Sequence, residues 1–202
     1  MQHDFILLDR SGSMASRWVE ALGAINGYVK KLSDDNVDTG VTLVTFDLSG
    51  AAMSFDIIRD RITPKTWKPV TNEDSEPRGG TPLNDATGKI VTLAKAGNYE
   101  KVAIIIMTDG YENSSKELTV AQAKALLDEC RAKNWQVIFL GADFDNAAQA
   151  AGYGNAAHST VAMAAGKMVG AMFATASKRS AYGLTGQAMS YTGQEKKDFA
   201  KK

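Results

Sequence analysis

Apolar and polar residues follow two rhythms along this chain. Phe5-Ile6-Leu7-Leu8, Val41 to Phe46, Val102 to Met107 and Gln136 to Leu140 are short apolar or β-rich runs bounded by Gly, Ser, Asp or Asn. Such runs predict buried strands, and unbroken apolarity predicts burial on both faces, as in a parallel sheet. Between them the period lengthens. Trp18, Leu22, Ile25, Val29 and Leu32 predict an amphipathic helix that stops near Ser33-Asp34-Asp35-Asn36. Leu83, Ile90 and Leu93 mark a second helix ending at Gly97-Asn98, with Thr81 suited to its cap and Pro82 to its first position. Thr119 and Gln122 form a capping box ahead of Val120, Ala123, Leu126, Leu127 and Cys130.

The turn Asp47-Leu48-Ser49-Gly50 predicts a hairpin between Val41–Phe46 and Ala51–Ile58, and so an antiparallel strand at one edge of the sheet. Residues 59–80 hold Pro64, Pro69, Pro77, Gly79 and Gly80 without a sustained period, a long connection of the kind that often carries function. Toward the end, a strand finishing at Gly141-Ala142-Asp143, a short helix from Asp145 to Ala151, a brief strand over Ser159–Val161 and a helix from Met163 to Ser177 are expected. The alternation predicts an α/β fold: a doubly wound, mostly parallel sheet with one antiparallel edge strand from a hairpin and helices on both faces. Residues 1–179 are expected to form this domain, and 180–202 an arm or loosely packed tail.

Composition narrows the function. Lys plus Arg and Asp plus Glu stand at 23 each, so no net field draws nucleic acid or an anionic membrane. A single cysteine excludes an intrachain disulfide and a thiolate zinc site. The sequence opens directly into its first expected strand, without a basic and apolar stretch ahead of it, and holds no run of ~18 apolar residues. A cytoplasmic setting is expected, with a phage particle as the other environment that fits.

The candidate chemistry lies where strands run out. Asp9-Arg10-Ser11-Gly12-Ser13-Met14 follows the first strand and sets a carboxylate and two hydroxyls on alternate residues, with Gly12 allowing a tight turn. Thr108-Asp109-Gly110 follows the most apolar strand, and Gly79-Gly80-Thr81-Pro82-Leu83 ends the long connection. Oxygen donors at the carboxyl ends of parallel strands suit a hard cation such as Mg²⁺. Each piece alone has a plainer explanation, as a turn or as a helix cap.

Together, and in this order, the three pieces resemble the metal-ion-dependent adhesion site of von Willebrand factor A-type (vWA) domains. The resemblance covers roughly residues 3–175 and is closest in flavour to small stand-alone vWA proteins of bacteria and their phages. It implies that Ser11, Ser13 and Thr81 offer hydroxyl oxygens to Mg²⁺ (Mn²⁺ or Ca²⁺ as alternatives), with Asp9 and Asp109 bound directly or through water. It also implies an open coordination position that a Glu or Asp of a protein partner fills. Two carboxylates ~4 Å apart repel by about 4 kcal/mol at intermediate dielectric, and a divalent cation between them reverses the sign. Arg10, Glu112 and Asn113 are placed on the partner-binding rim.

The leading expectation is thus a non-enzymatic, metal-dependent protein-binding module, with homo-oligomerisation left open. The alternative is a structural component of a larger assembly, a virion or an ATPase-linked complex. A metal-dependent phosphatase or hydrolase ranks behind both: Ser11 stands where a second acid is usual, no His is near, and Glu112 is the one obvious base. His3, His158 and the Met163/Met168/Met172 stripe are assigned to core or surface.

Overall fold

The computed structural model describes residues 1–142 and 147–201. Six strands form one sheet in the order β3-β2-β1-β4-β5-β6. They are β1 (Gln2–Asp9), β2 (Gly40–Ser49), β3 (Ala52–Ile62), β4 (Lys101–Thr108), β5 (Gln136–Ala142) and β6 (Thr160–Met163). All neighbours pair in parallel except β2 with β3, the expected hairpin edge.

Among the described residues six α-helices flank the sheet: α1 (Trp18–Asp34), α2 (Leu83–Ala96), α3 (Val120–Ala132), α4 (Ala147–Gly152), α5 (Met168–Thr185) and α6 (Gly193–Ala200). Successive strand residues feed opposite cores, the two-residue period of a pleated strand. Ile6, Leu8, Ile105 and Met107 pack with α1 and α5, while Phe5, Leu7, Ile104 and Ile106 pack with α2 and α3. Each such fully buried side chain is worth up to about 1.5–3 kcal/mol. Both faces of β1 and β4 being apolar is what made their sequences read as unbroken runs.

From β1 the chain moves to β2 and β3 on one side, then returns to place β4 on the other side of β1. The strand order therefore reverses between β1 and β4, and the carboxyl ends of these strands are the usual ligand position in such sheets.

Three expectations need correcting. The helix expected from Met163 to Ser177 runs from Met168 to Thr185, with Met163 ending β6. β3 runs to Ile62, not Ile58, with shifted register against β2 near Val41–Val44 and a positive φ at Arg61. The boundary expected at residue 180 falls inside α5, which ends at Gly186 in the left-handed conformation. Beyond it Met189 and Tyr191 are buried in the core formed with α1 and α5, and Thr192 caps α6 through a capping box. Isolated apolar residues in a Gly/Ser/Thr-rich stretch carry no period, so their burial left no pattern to read. Asp143 and the helix start expected at Asp145 lie outside the described residues.

Candidate metal centre

Asp9 is the last residue of β1 and is fully buried. Its Oδ1 accepts the Ser11 N–H (2.7 Å), which turns the chain, and its Oδ2 accepts the Thr108 hydroxyl from the end of β4 (2.6 Å). Burial pushes its carboxyl up to about 6, against these hydrogen bonds, and Asp109 adds to the rise. The short helical turn Gly12–Ser16 then brings Ser13 Oγ to 3.1 Å from Ser11 Oγ and to 2.6 Å from Asp109 Oδ1, which accepts from it. The Asp109 carboxyl is also pushed up by burial, with the Ser13 hydroxyl and the Arg17 charge pulling the other way.

The long connection delivers Thr81 to the same spot. Leu48 and Gly80 exchange backbone hydrogen bonds (3.0 and 2.9 Å), and Gly79 sits at φ +69° where a Cβ would lie 2.2 Å from the Leu48 carbonyl oxygen. Only glycine fits there. α2 starts at Leu83 with Pro82 at its cap position and no side-chain cap. Thr81 is therefore not a helix cap, and its hydroxyl is not spent on one. A Cβ on Gly110 would lie 3.5 Å from both Thr81 Oγ1 and Ser13 Oγ, so the two hydroxyls face one spot beside Asp109.

Asp9, Ser11, Ser13, Thr81 and Asp109 are thus brought together from three loops. Among the described residues no three Cys, His, Asp or Glu side chains gather as a metal cluster. The donor set is two carboxylates plus hydroxyls, which suits a hard oxygen-seeking cation and not zinc. The buried Asp9 and the half-buried Asp109 carboxylates, both costly to ionise, are the complement of a divalent cation. The residues present fit such an ion.

The three rim residues fare differently. Arg10 does not reach the rim. Its side chain is buried, with Nε on Asp47 Oδ1 (2.6 Å), one terminal nitrogen on Asp56 Oδ2 (2.5 Å) and the other on Ser75 Oγ (3.2 Å). Arg78 donates to the other Asp47 oxygen (3.2 Å), and its N–H to the Arg10 carbonyl (2.7 Å). The pair fastens the Asp9 loop to the hairpin and to the connection that carries Thr81. Asn113 is exposed, but its Oδ1 accepts the Thr81 N–H (2.9 Å). Glu112 is half-buried and accepts the N–H groups of Asn84 (2.8 Å), Ser114 (2.9 Å) and Ser115 (2.7 Å) as well as the Ser115 hydroxyl (2.7 Å).

Sequence reasoning missed a ring of support. Gln149 on α4 donates to the Gly110 carbonyl (3.1 Å) and accepts the Glu112 N–H (2.8 Å). Tyr153 donates to Asn84 Oδ1 (2.5 Å), and Asp85 accepts the N–H groups of Lys116 and Leu118 (2.7 Å each). Two adjacent polar residues in the first turn of α2 are the signal that could have pointed to Asn84 and Asp85. Gln149, in an Ala-rich helix, had none.

A family model described as von Willebrand factor type A domain matches residues 5–180. The chain belongs to this family. No curated protein sequence matches it. Among solved structures, the vWA chain is similar to the PilB minor pilin from Streptococcus sanguinis, with TM-score 0.64 and 14% identity over 89% of this chain and 60% of that one. It is similar to the SpRpn10 VWA domain, with TM-score 0.56 and 15% identity over 86% of this chain and 94% of that one. Manganese-loaded TRAP protein from Plasmodium vivax gives TM-score 0.50 and 19% identity over 70% and 57%. At these identities the likeness concerns the fold alone. The chain spans about three-fifths of the pilin. Among the described residues no helix is long and apolar enough to cross a membrane.

Proposed function

We propose that this vWA domain is a non-enzymatic protein-binding module that works through a divalent cation, Mg²⁺ or in its place Mn²⁺ or Ca²⁺. The observation that carries the reading is the meeting of Asp9, Ser11, Ser13, Thr81 and Asp109 from three separate loops at the β1/β4 reversal. The manganese in the TRAP protein structure supports a divalent ion in this fold.

In this reading Ser11, Ser13 and Thr81 would offer hydroxyl lone pairs to the ion, and Asp9 and Asp109 would hold it directly or through water. When bound, the ion supplies an electrophilic position that a Glu or Asp of a partner protein completes. Hydroxyl ligands carry no charge, so the ion keeps positive charge to offer an incoming acid. Thr108 holds Asp9 by donating to Oδ2, which leaves Asp9's orientation fixed by β4. Glu112 serves no general base here, because its two oxygens are occupied by backbone N–H groups and a hydroxyl. The single cysteine is free and buried on α3, which suits a reducing, cytoplasmic setting.

The test is capture of a partner from the native source in Mg²⁺ or in chelator, with wild type and Asp9→Ala. Retention that needs both Mg²⁺ and Asp9 supports the reading. Retention through this face that ignores chelator contradicts it.

A further inference from the structure

Thr81 and Asp109 sit on different elements, and what sets their spacing is an exchange of carboxylates. Glu112, three residues after Asp109, reaches α2 and accepts the N–H of Asn84, three residues after Thr81 (2.8 Å). The same carboxylate accepts the N–H groups of Ser114 and Ser115 and so folds its own loop. Asp85, the next residue of α2, returns the contact by accepting the N–H groups of Lys116, Glu117 and Leu118. Asn113 closes the set: its Oδ1 accepts the Thr81 N–H (2.9 Å), and its N–H donates to the Thr81 carbonyl (3.2 Å).

From this geometry we propose that Glu112 is a positioning residue for the metal centre, acting with Asp85 to hold the Thr81 hydroxyl against Asp109. The inference rests on the metal reading above. A carboxylate that ends on the free N–H groups of a helix's first turn is stabilised there by the helix dipole and by charge-assisted hydrogen bonds. Glu112 does this while remaining bonded inside the loop that follows Asp109. The α2 start and the β4–α3 loop are therefore tied to each other from both sides. Groups that orient a metal's ligands typically change its affinity 10–100-fold when removed.

The experiment measures Mn²⁺ affinity, by the loss of the free-ion spectrum on titration with full-length protein. The variants are Glu112→Ala, Glu112→Gln and the control Thr119→Ala. Thr119 caps α3 by accepting the Gln122 N–H, outside the exchange, so its removal costs stability without touching the ligands' spacing. In Glu112→Gln the amide nitrogen must face a backbone N–H at one end or the other. The expected result is at least tenfold weaker Mn²⁺ binding in Glu112→Ala, a smaller loss in Glu112→Gln and none in Thr119→Ala. If Glu112→Ala does not fold, Glu112→Gln decides the matter by the same comparison. Wild-type affinity in the folded Glu112 variants, or an equal loss in Thr119→Ala, overturns the positioning role and leaves the metal reading standing. Absence of Mn²⁺ binding in wild type overturns both.

Discussion

β1 carries two aspartates, one at each end, and they have opposite surroundings. Asp4, near the start, is fully buried and meets the equally buried Arg179 of α5. It also accepts the Tyr28 hydroxyl (2.9 Å) and faces the Thr39 hydroxyl (3.4 Å). Arg179 spreads further, to Gln2 Oε1 (2.9 Å) and Thr39 Oγ1 (3.1 Å). Asp9, five residues on, is as buried but is held by an N–H and a hydroxyl, with a second carboxylate close by. The lower end of the strand has a built-in cation. The upper end has none, and on the function proposed above it would draw one from solution. Burial alone therefore does not mark a site; burial with hydrogen bonds but a same-sign neighbour does.

The comparison breaks most sharply at Arg179. Arg179→Met leaves Asp4 buried without its cation and should cost about 3–5 kcal/mol in urea unfolding, most of it recovered by adding Asp4→Asn. A loss under about 1 kcal/mol would mean that Asp4 is not charged in the native state. The next effect is at the other end. Mg²⁺ at a hundred times its dissociation constant should stabilise wild type by about 2.7 kcal/mol, stabilise Asp4→Asn equally, and leave Asp9→Ala unmoved in a thermal scan. An equal shift in Asp9→Ala would place the ion elsewhere.

Ser13→Ala sharpens the picture at smaller scale. It removes one hydroxyl and keeps both carboxylates, so calorimetry should show Mg²⁺ affinity about tenfold weaker, or ~1.4 kcal/mol, and not its loss. A pH-dependent effect is expected at His3, beside Asp4. Burial, first, and the charges of Arg61 and Arg179 hold its pKa down to about 4 against an ordinary 6.5, with Asp60 opposing them. Between those values the unfolded chain binds the extra proton, so this group's contribution to stability is full above pH 6.5 and is lost as pH falls toward 4. His3→Gln should flatten that part of the stability–pH curve, seen as a difference from wild type. A steeper curve would mean that His3 is charged in the fold.

Much of this was legible in the sequence because local pattern and global fold agree. β1 and β4 read as strands because both faces are apolar, and the α3 capping box is present as Thr119 and Gln122 predict. The five residues proposed for the centre were singled out because their three motifs resemble those of a known family, and the structure brings them near one another. What could not be read was set by partners distant in the chain. Arg10 looked like a rim residue until β2 and β3 supplied Asp47 and Asp56, 37 and 46 residues away. Thr81 looked like a cap until Pro82 took that position. Arg179, in an Ala- and Ser-rich stretch, gave no sign that it would lie against residue 4.

The most direct test is a crystal grown with Mn²⁺ and measured at the manganese absorption edge. The account predicts one strong anomalous peak bounded by Asp9, Ser11, Ser13, Thr81 and Asp109, absent in Asp9→Ala crystals. A peak at another place, or none at saturating Mn²⁺, would contradict it.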